Sequence, residues 1–112
     1  MFKSNQAQGS FGEMAYELFL RKKNIKFERV NDKATDFIIQ VSNVKVRIDV
    51  KCSRSTKICY NKNKNVKQLK IKYDVVFLNA KNNSVTLYPD KESPFYEKYS
   101  GYYLGKVDDL KE

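Results

Sequence analysis

Val44-Lys45-Val46-Arg47-Ile48-Asp49-Val50-Lys51-Cys52-Ser53 alternates apolar and polar residues without a break. Val, Val, Ile, Val and Cys fill the even positions, and Lys, Arg, Asp, Lys and Ser the odd ones. A period of two belongs to a β-strand with one buried face and one polar face. Asp49 and Lys51 then project to the same side, about 6.6 Å apart along the strand. The preceding run, Asp36-Phe37-Ile38-Ile39-Gln40-Val41, reads as the other arm of a tight hairpin through Ser42-Asn43. Residues equidistant from such a turn pair with each other, so Asp36 is expected near Asp49.

Taken singly, either acid reads as a solvated residue on the outer face of the hairpin. Together they are less ordinary, because Asp is a poor strand former. Like charges directly opposite destabilise a sheet unless something neutralises them. Lys51 alone can neutralise only one. A divalent cation would neutralise both, and oxygen ligands suit Mg²⁺ or Mn²⁺. The spacing therefore predicts a metal site at Asp36 and Asp49, with Lys51 beside it.

Upstream, Phe11, Met14, Ala15, Leu18 and Phe19 recur at helical spacing and predict a helix over residues 10–23. Tyr16 and Leu20 lie across from that face, so the helix is expected to be covered on more than one side. Asn24 is a suitable left-handed stop. Glu13 has two readings from spacing alone. In Ser10-Phe11-Gly12-Glu13 it fits a capping box, and as a helix acid it is a candidate third ligand. Glu17 fits an i,i+4 pair with Arg21. Short strands are expected at 25–30, 36–41, 44–52, 75–80 and 84–89, with another near 57–60. Residues 61–72, dominated by Asn and Lys, fit either a loop or a short helix. The result is a small α+β domain, a helix before a mostly antiparallel sheet.

Composition sets the outer bounds. The chain has 112 residues, enough for one core but not two. Its 22 Lys and Arg against 13 Asp and Glu give a net charge of +9, a field that favours polyanions and nucleic acid first. No apolar run approaches the roughly 20 residues that span a bilayer, and the first residues lack a signal-peptide pattern. A soluble, intracellular (cytoplasmic) protein that does not enter membranes is expected. Cys52 and Cys59 match no zinc spacing, and the chain contains no His. That excludes serine– and cysteine–histidine triads, so any catalysis rests on carboxylates and lysines.

These residues resemble the PD-(D/E)XK nucleases, a superfamily with the restriction-endonuclease-like fold. Its members carry a helix acid, an acid at the start of a strand, and an acid-x-lysine on the next strand. Here the corresponding residues are Glu13, Asp36 in Thr35-Asp36-Phe37, and Asp49-Val50-Lys51. The likeness is to the small members, archaeal Holliday junction resolvases and the homing-endonuclease-like branch. It covers residues 9 to about 90 as a core, including Tyr73-Asp74-Val75-Val76-Phe77 and Val85-Thr86-Leu87-Tyr88-Pro89. Thr35 replaces the family's proline, Asp49 replaces the commoner Glu, and the Tyr-rich residues 91–112 have no counterpart. The resemblance implies a single restriction-endonuclease-like domain with a mixed sheet. It also implies one or two Mg²⁺ (or Mn²⁺) ions held by Asp36, Asp49, the Val50 carbonyl and Glu13, with Lys51 on the attacking water or the phosphate. The implied reaction is DNA hydrolysis leaving a 5′-phosphate, on a branched or duplex substrate, by a homodimer.

Beyond the acids, Ser53, Arg54, Lys57, Lys62, Lys64, Lys67, Lys70 and Lys72 form a basic stretch. It reads either as a solvated loop or as contacts to the DNA backbone. Phe95, Tyr96, Tyr99, Tyr102 and Tyr103 read as packing residues for the sheet or a second subunit, or as a surface that stacks on unpaired bases. Non-catalytic nucleic-acid binding and a basic membrane-surface module are the competing classes, and the second leaves the paired acids unexplained. Lys62→Glu combined with Lys64→Glu is expected to weaken DNA binding about tenfold or more at low salt. Fluorescence anisotropy checks this, and unchanged affinity would remove the segment from the interface.

Overall fold

The computed structural model describes residues 4–30, 35–55 and 71–110. Helix α1 spans Asn5–Lys22 and is followed by β1 (Lys26–Arg29), β2 (Phe37–Val41) and β3 (Val44–Ser53). Then come β4 (Ile71–Asn79), β5 (Ser84–Tyr88), α2 (Tyr96–Tyr99), β6 (Tyr102–Lys106) and α3 (Val107–Leu110). The six strands form one sheet in chain order, β1-β2-β3-β4-β5-β6. Every neighbouring pair is antiparallel except β3 and β4, which run parallel from Arg47 opposite Ile71 to Ser53 opposite Phe77. This is an α+β fold with a mixed, mostly antiparallel sheet, and its radius of gyration of 13.5 Å suits one domain of this length. None of the helices among the described residues is long and apolar enough to cross a membrane.

The helix begins five residues earlier than its apolar pattern suggests. Ser4 is the N-cap, extended at φ −149° and ψ 158°, and its hydroxyl accepts from the Ala7 amide at 3.1 Å. Ser10 therefore lies inside α1, and the capping-box reading of Glu13 is wrong. The local signal for this start is Ser4 itself, although residues 5–10 carry no apolar period. At the other end Asn24 does act as the stop. It adopts φ 56°, its amide reaches the Arg21 carbonyl (3.1 Å) and the Ile25 amide reaches Leu20 (2.9 Å). That pair of bonds closes the last turn and releases the chain into β1.

The buried stripe of α1 is Phe11, Gly12, Ala15, Tyr16, Phe19 and Leu20. Met14 and Leu18 are only partly covered, so the helix is rotated from the expected stripe toward Tyr16 and Leu20. It lies on the sheet face made by Phe37, Ile39, Ile48, Val50, Val76, Leu78, Val85 and Leu87, all buried. Burial of each large apolar side chain stabilises the fold by about 1.5–3 kcal/mol. Gly12 makes the closest approach, because a Cβ there would stand 2.5 Å from Cys52 Cβ on β3. Cys52 faces the helix as a free thiol pushed up to about 12 by burial, so it packs as a small hydrophobe. Gln8 ties the same place together by donating to the Cys52 carbonyl at 3.0 Å.

β4 starts at Ile71, earlier than the expected Val75, because the parallel ladder with β3 recruits residues whose own pattern is mixed. Asp74 is fully buried in that strand and accepts from Tyr16 Oη (2.7 Å), the Asp90 amide (3.1 Å) and Ser93 Oγ (3.3 Å). Residues 91–110 join the same body. β6 is the sixth strand, and Phe19 packs against Phe95, Tyr99 and Tyr102 at centroid distances of 5.7, 4.9 and 5.7 Å. The turn expected at 31–33 and the strand expected near 57–60 lie outside the described residues.

Gly12→Ala tests the helix–sheet contact. Alanine is the better helix former by about 1 kcal/mol, yet the substitution is expected to destabilise the protein by about 1–3 kcal/mol through overpacking against Cys52. Urea unfolding measures this, and a stabilised variant would mean that the helix stands further from β3.

Candidate functional site

The site begins with a two-residue turn. Ser42 and Asn43 both have positive φ, 49° and 66°, as a tight right-twisted hairpin requires. The resulting register pairs Phe37 with Ile48 and Val41 with Val44, which brings Asp36 to Asp49 across the strands. The Asp36 amide donates to the Ile48 carbonyl at 3.0 Å, extending the ladder by one residue. Its carboxylate turns in and accepts from the Val50 amide at 2.8 Å. One step further along β3, Lys51 Nζ stands 3.1 Å from Asp49 Oδ2. The alternation read from the sequence is realised where β3 crosses the core, with Ile48 and Val50 inside and Asp49 and Lys51 on the other side, while Val44 beside the turn is exposed.

From the helix, Glu13 reaches the same group. Its carboxyl is raised by burial first and by the Asp36 charge second, against an opposing effect from Arg29. Asp49 is pushed up to about 6, again by burial first, then by a hydrogen bond with Asp36, with Lys51 pulling the other way. The three carboxyls form a row, Glu13 to Asp36 to Asp49, with Asp36 in the middle. A cation closes each end. Arg29 Nη2 lies 3.2 Å from Glu13 Oε1, and Lys51 closes the Asp49 end.

Arg29 was not legible beforehand. It ends β1, pairs with Phe37 in the sheet, and lays its guanidinium 4.5 Å from the centre of the Phe37 ring. Only the β1–β2 register places it there. Glu17 does pair with Arg21 as expected, at 3.6 Å, and its other oxygen faces Arg29 Nε at 4.0 Å. Thr35, where the resemblance expects proline, is buried, and its hydroxyl has no hydrogen-bond partner among the described residues.

The basic stretch divides. Ser53 Oγ is engaged locally, donating to the Ser55 carbonyl (2.6 Å) and accepting from its amide (3.0 Å). Arg54 is exposed, and Lys72 pairs with Glu92. Lys57, Lys62, Lys64, Lys67 and Lys70 lie outside the described residues. Of the aromatic residues in the tail, Phe95, Tyr99 and Tyr102 pack inward, while Tyr96 and Tyr103 are exposed.

Among the described residues no three acids or cysteines converge as a ready-made metal cage. Each acid of the row instead leans on a protein group: Glu13 on Arg29, Asp36 on the Val50 amide, Asp49 on Lys51. The donor set still fits a hard divalent cation. The side-chain donors are all carboxylate oxygens, and Glu13 and Asp49 are raised above the ordinary carboxylate range by burial first and by Asp36 second. Searches against protein-family models, curated proteins and solved structures return no match to this chain.

The raised Asp49 carboxyl has a consequence for stability. The folded state binds this proton more tightly than the unfolded chain, so the ionised form opposes folding above about pH 6. That opposition fades as the pH falls from 6 toward the ordinary value of 3.8. Asp49→Asn is therefore expected to raise Tm by a few degrees at about pH 8, and by much less at about pH 4.5. Thermal melts across that range check it, and a variant no more stable than wild type at the higher pH would contradict it.

Proposed function

We propose that this chain is a divalent-metal-dependent DNA endonuclease acting at the row Glu13, Asp36, Asp49 and Lys51. One observation carries the reading: the hairpin register sets Asp36 against Asp49 and leaves Lys51 bonded to Asp49, with a helix acid at the end of the row. Three carboxylates crowded in a chain of charge +9 serve no evident purpose in packing. They suit the binding of a cation that in turn faces a polyanion.

Asp36 and Asp49 would hold Mg²⁺ or Mn²⁺, with the Val50 carbonyl and Glu13 as further ligands. A bound ion of this kind lowers the pKa of a water molecule and offsets charge on the scissile phosphate. Lys51, about half exposed, would orient the attacking water or bind the phosphate. Hydrolysis would leave a 5′-phosphate. A four-way junction is the first substrate to test, a specific duplex site the second, and a homodimer would present two such sites to two strands.

A second reading has its own support. Because every acid of the row already leans on a protein cation or amide, the chain could bind nucleic acid without cutting it. Labelled four-way junction, linear duplex and single-stranded DNA, each with Mg²⁺, Mn²⁺ or EDTA, separate the two. The nuclease reading expects metal-dependent cutting that Asp49→Asn reduces about a hundredfold or more while binding persists. Near-wild-type turnover in that variant would end it, and binding without cutting on every substrate would favour the second reading.

A further inference from the structure

We propose that Arg29 is a phosphate-binding residue of this site, taking a backbone phosphate of the nucleic acid at the Glu13 end of the row while Lys51 serves the Asp49 end. The inference rests on the nucleic-acid reading above and adds a residue that neither the motif nor its spacing contains.

Three features of Arg29 point this way. Its guanidinium carbon stands over the Phe37 ring, 4.5 Å from the centroid, and Phe37 directly follows Asp36 in the chain. That contact restrains where the guanidinium sits, and a guanidinium fork matches two oxygens of a phosphate. Its side chain is 45% exposed, so the group opens to solvent at the edge of the acid row instead of lying beneath it. Its partners among the described residues also use little of its capacity. Glu13 takes one hydrogen bond at 3.2 Å, Glu17 lies 4.0 Å from Nε, and a guanidinium carries five N–H donors. Ion pairs this exposed contribute little to stability, so holding the fold together is a weak reason for the arrangement. The pairing with Glu13 is better understood as a resting contact. A phosphate arriving at the row would compete for the guanidinium and leave Glu13 to face the cation site.

The structural alternative is that Arg29 only holds Glu13 in place and shields Phe37. Measuring DNA affinity in a Glu13→Gln background separates the two, because the ionic contact with Glu13 is then already gone. Labelled duplex DNA is titrated in EDTA across roughly 50–200 mM NaCl, with anisotropy as readout. Glu13→Gln/Arg29→Ala is expected to bind about tenfold more weakly at low salt than Glu13→Gln alone. The slope of log K against log salt should fall in magnitude by about 0.9, the loss of one phosphate contact. Arg29→Lys should keep the slope. Arg29→Gln, which retains the stem over Phe37, replaces the alanine variant if that one fails to fold. Equal affinity and equal slope in the two backgrounds would overturn the proposal. Wild-type protein that binds no DNA at any salt would remove the nucleic-acid reading together with it, whereas wild-type binding with an indifferent Arg29 removes this proposal alone.

Discussion

Two left-handed backbone residues, Ser42 and Asn43, hold the hairpin register on which both the core and the acid row depend. Register in a sheet with one buried face is unforgiving, since a slip of one residue turns every side chain to the wrong side. Here a slip of β3 would expose Ile48 and Val50 and bury Asp49 and Lys51. The apolar face therefore enforces the meeting of Asp36 and Asp49, although neither acid favours it. Hydrophobic burial supplies the driving force, and the crowded carboxylates are carried along at a cost.

Two acids of this fold are raised alike in settings that differ. Asp74 and Asp49 are both pushed up to about 6. Asp74 is raised mainly by burial, and its three donors, Tyr16, the Asp90 amide and Ser93, all act to lower it. It is a satisfied group that ties α1, β4 and the segment before α2 together. Asp49 is also raised first by burial, but its next cause is a hydrogen bond with the acid Asp36, and Lys51 alone opposes it. On Asp74, by contrast, the charge of Asp90 is the last and smallest effect. An acid surrounded by three donors is a structural acid, whereas one hydrogen-bonded to another acid is suited to binding a cation.

Helix α1 completes the arrangement by proximity. With only a hydrogen on Gly12 facing Cys52, the helix settles low over β3, and the next residue, Glu13, comes within reach of Asp36. Its other end is held by aromatic contacts from Phe19 to Phe95, Tyr99 and Tyr102, so the C-terminal residues help to fix the helix that presents Glu13. Lys23 adds to this cluster, lying 4.9 Å from the Tyr102 ring.

Much of this was legible in the chain because it is local. The period of two over residues 44–53 set which side chains of β3 face inward, Ser42-Asn43 set the hairpin, and Asn24 set the end of the helix, each through backbone preferences acting over a few residues. Those three facts were enough to place Asp36 near Asp49 and Lys51. The start of α1 is local as well, through the Ser4 cap on Ala7, whereas the parallel pairing of β3 with β4, the buried role of Asp74 and the presence of Arg29 beside Glu13 were decided only in three dimensions. Each depends on contacts between residues far apart in sequence: 16 positions from Glu13 to Arg29, 58 from Tyr16 to Asp74. Local periodicity determines which face of an element is apolar. Which polar groups then meet at its border is settled by how the elements pack, and no spacing within one element records that.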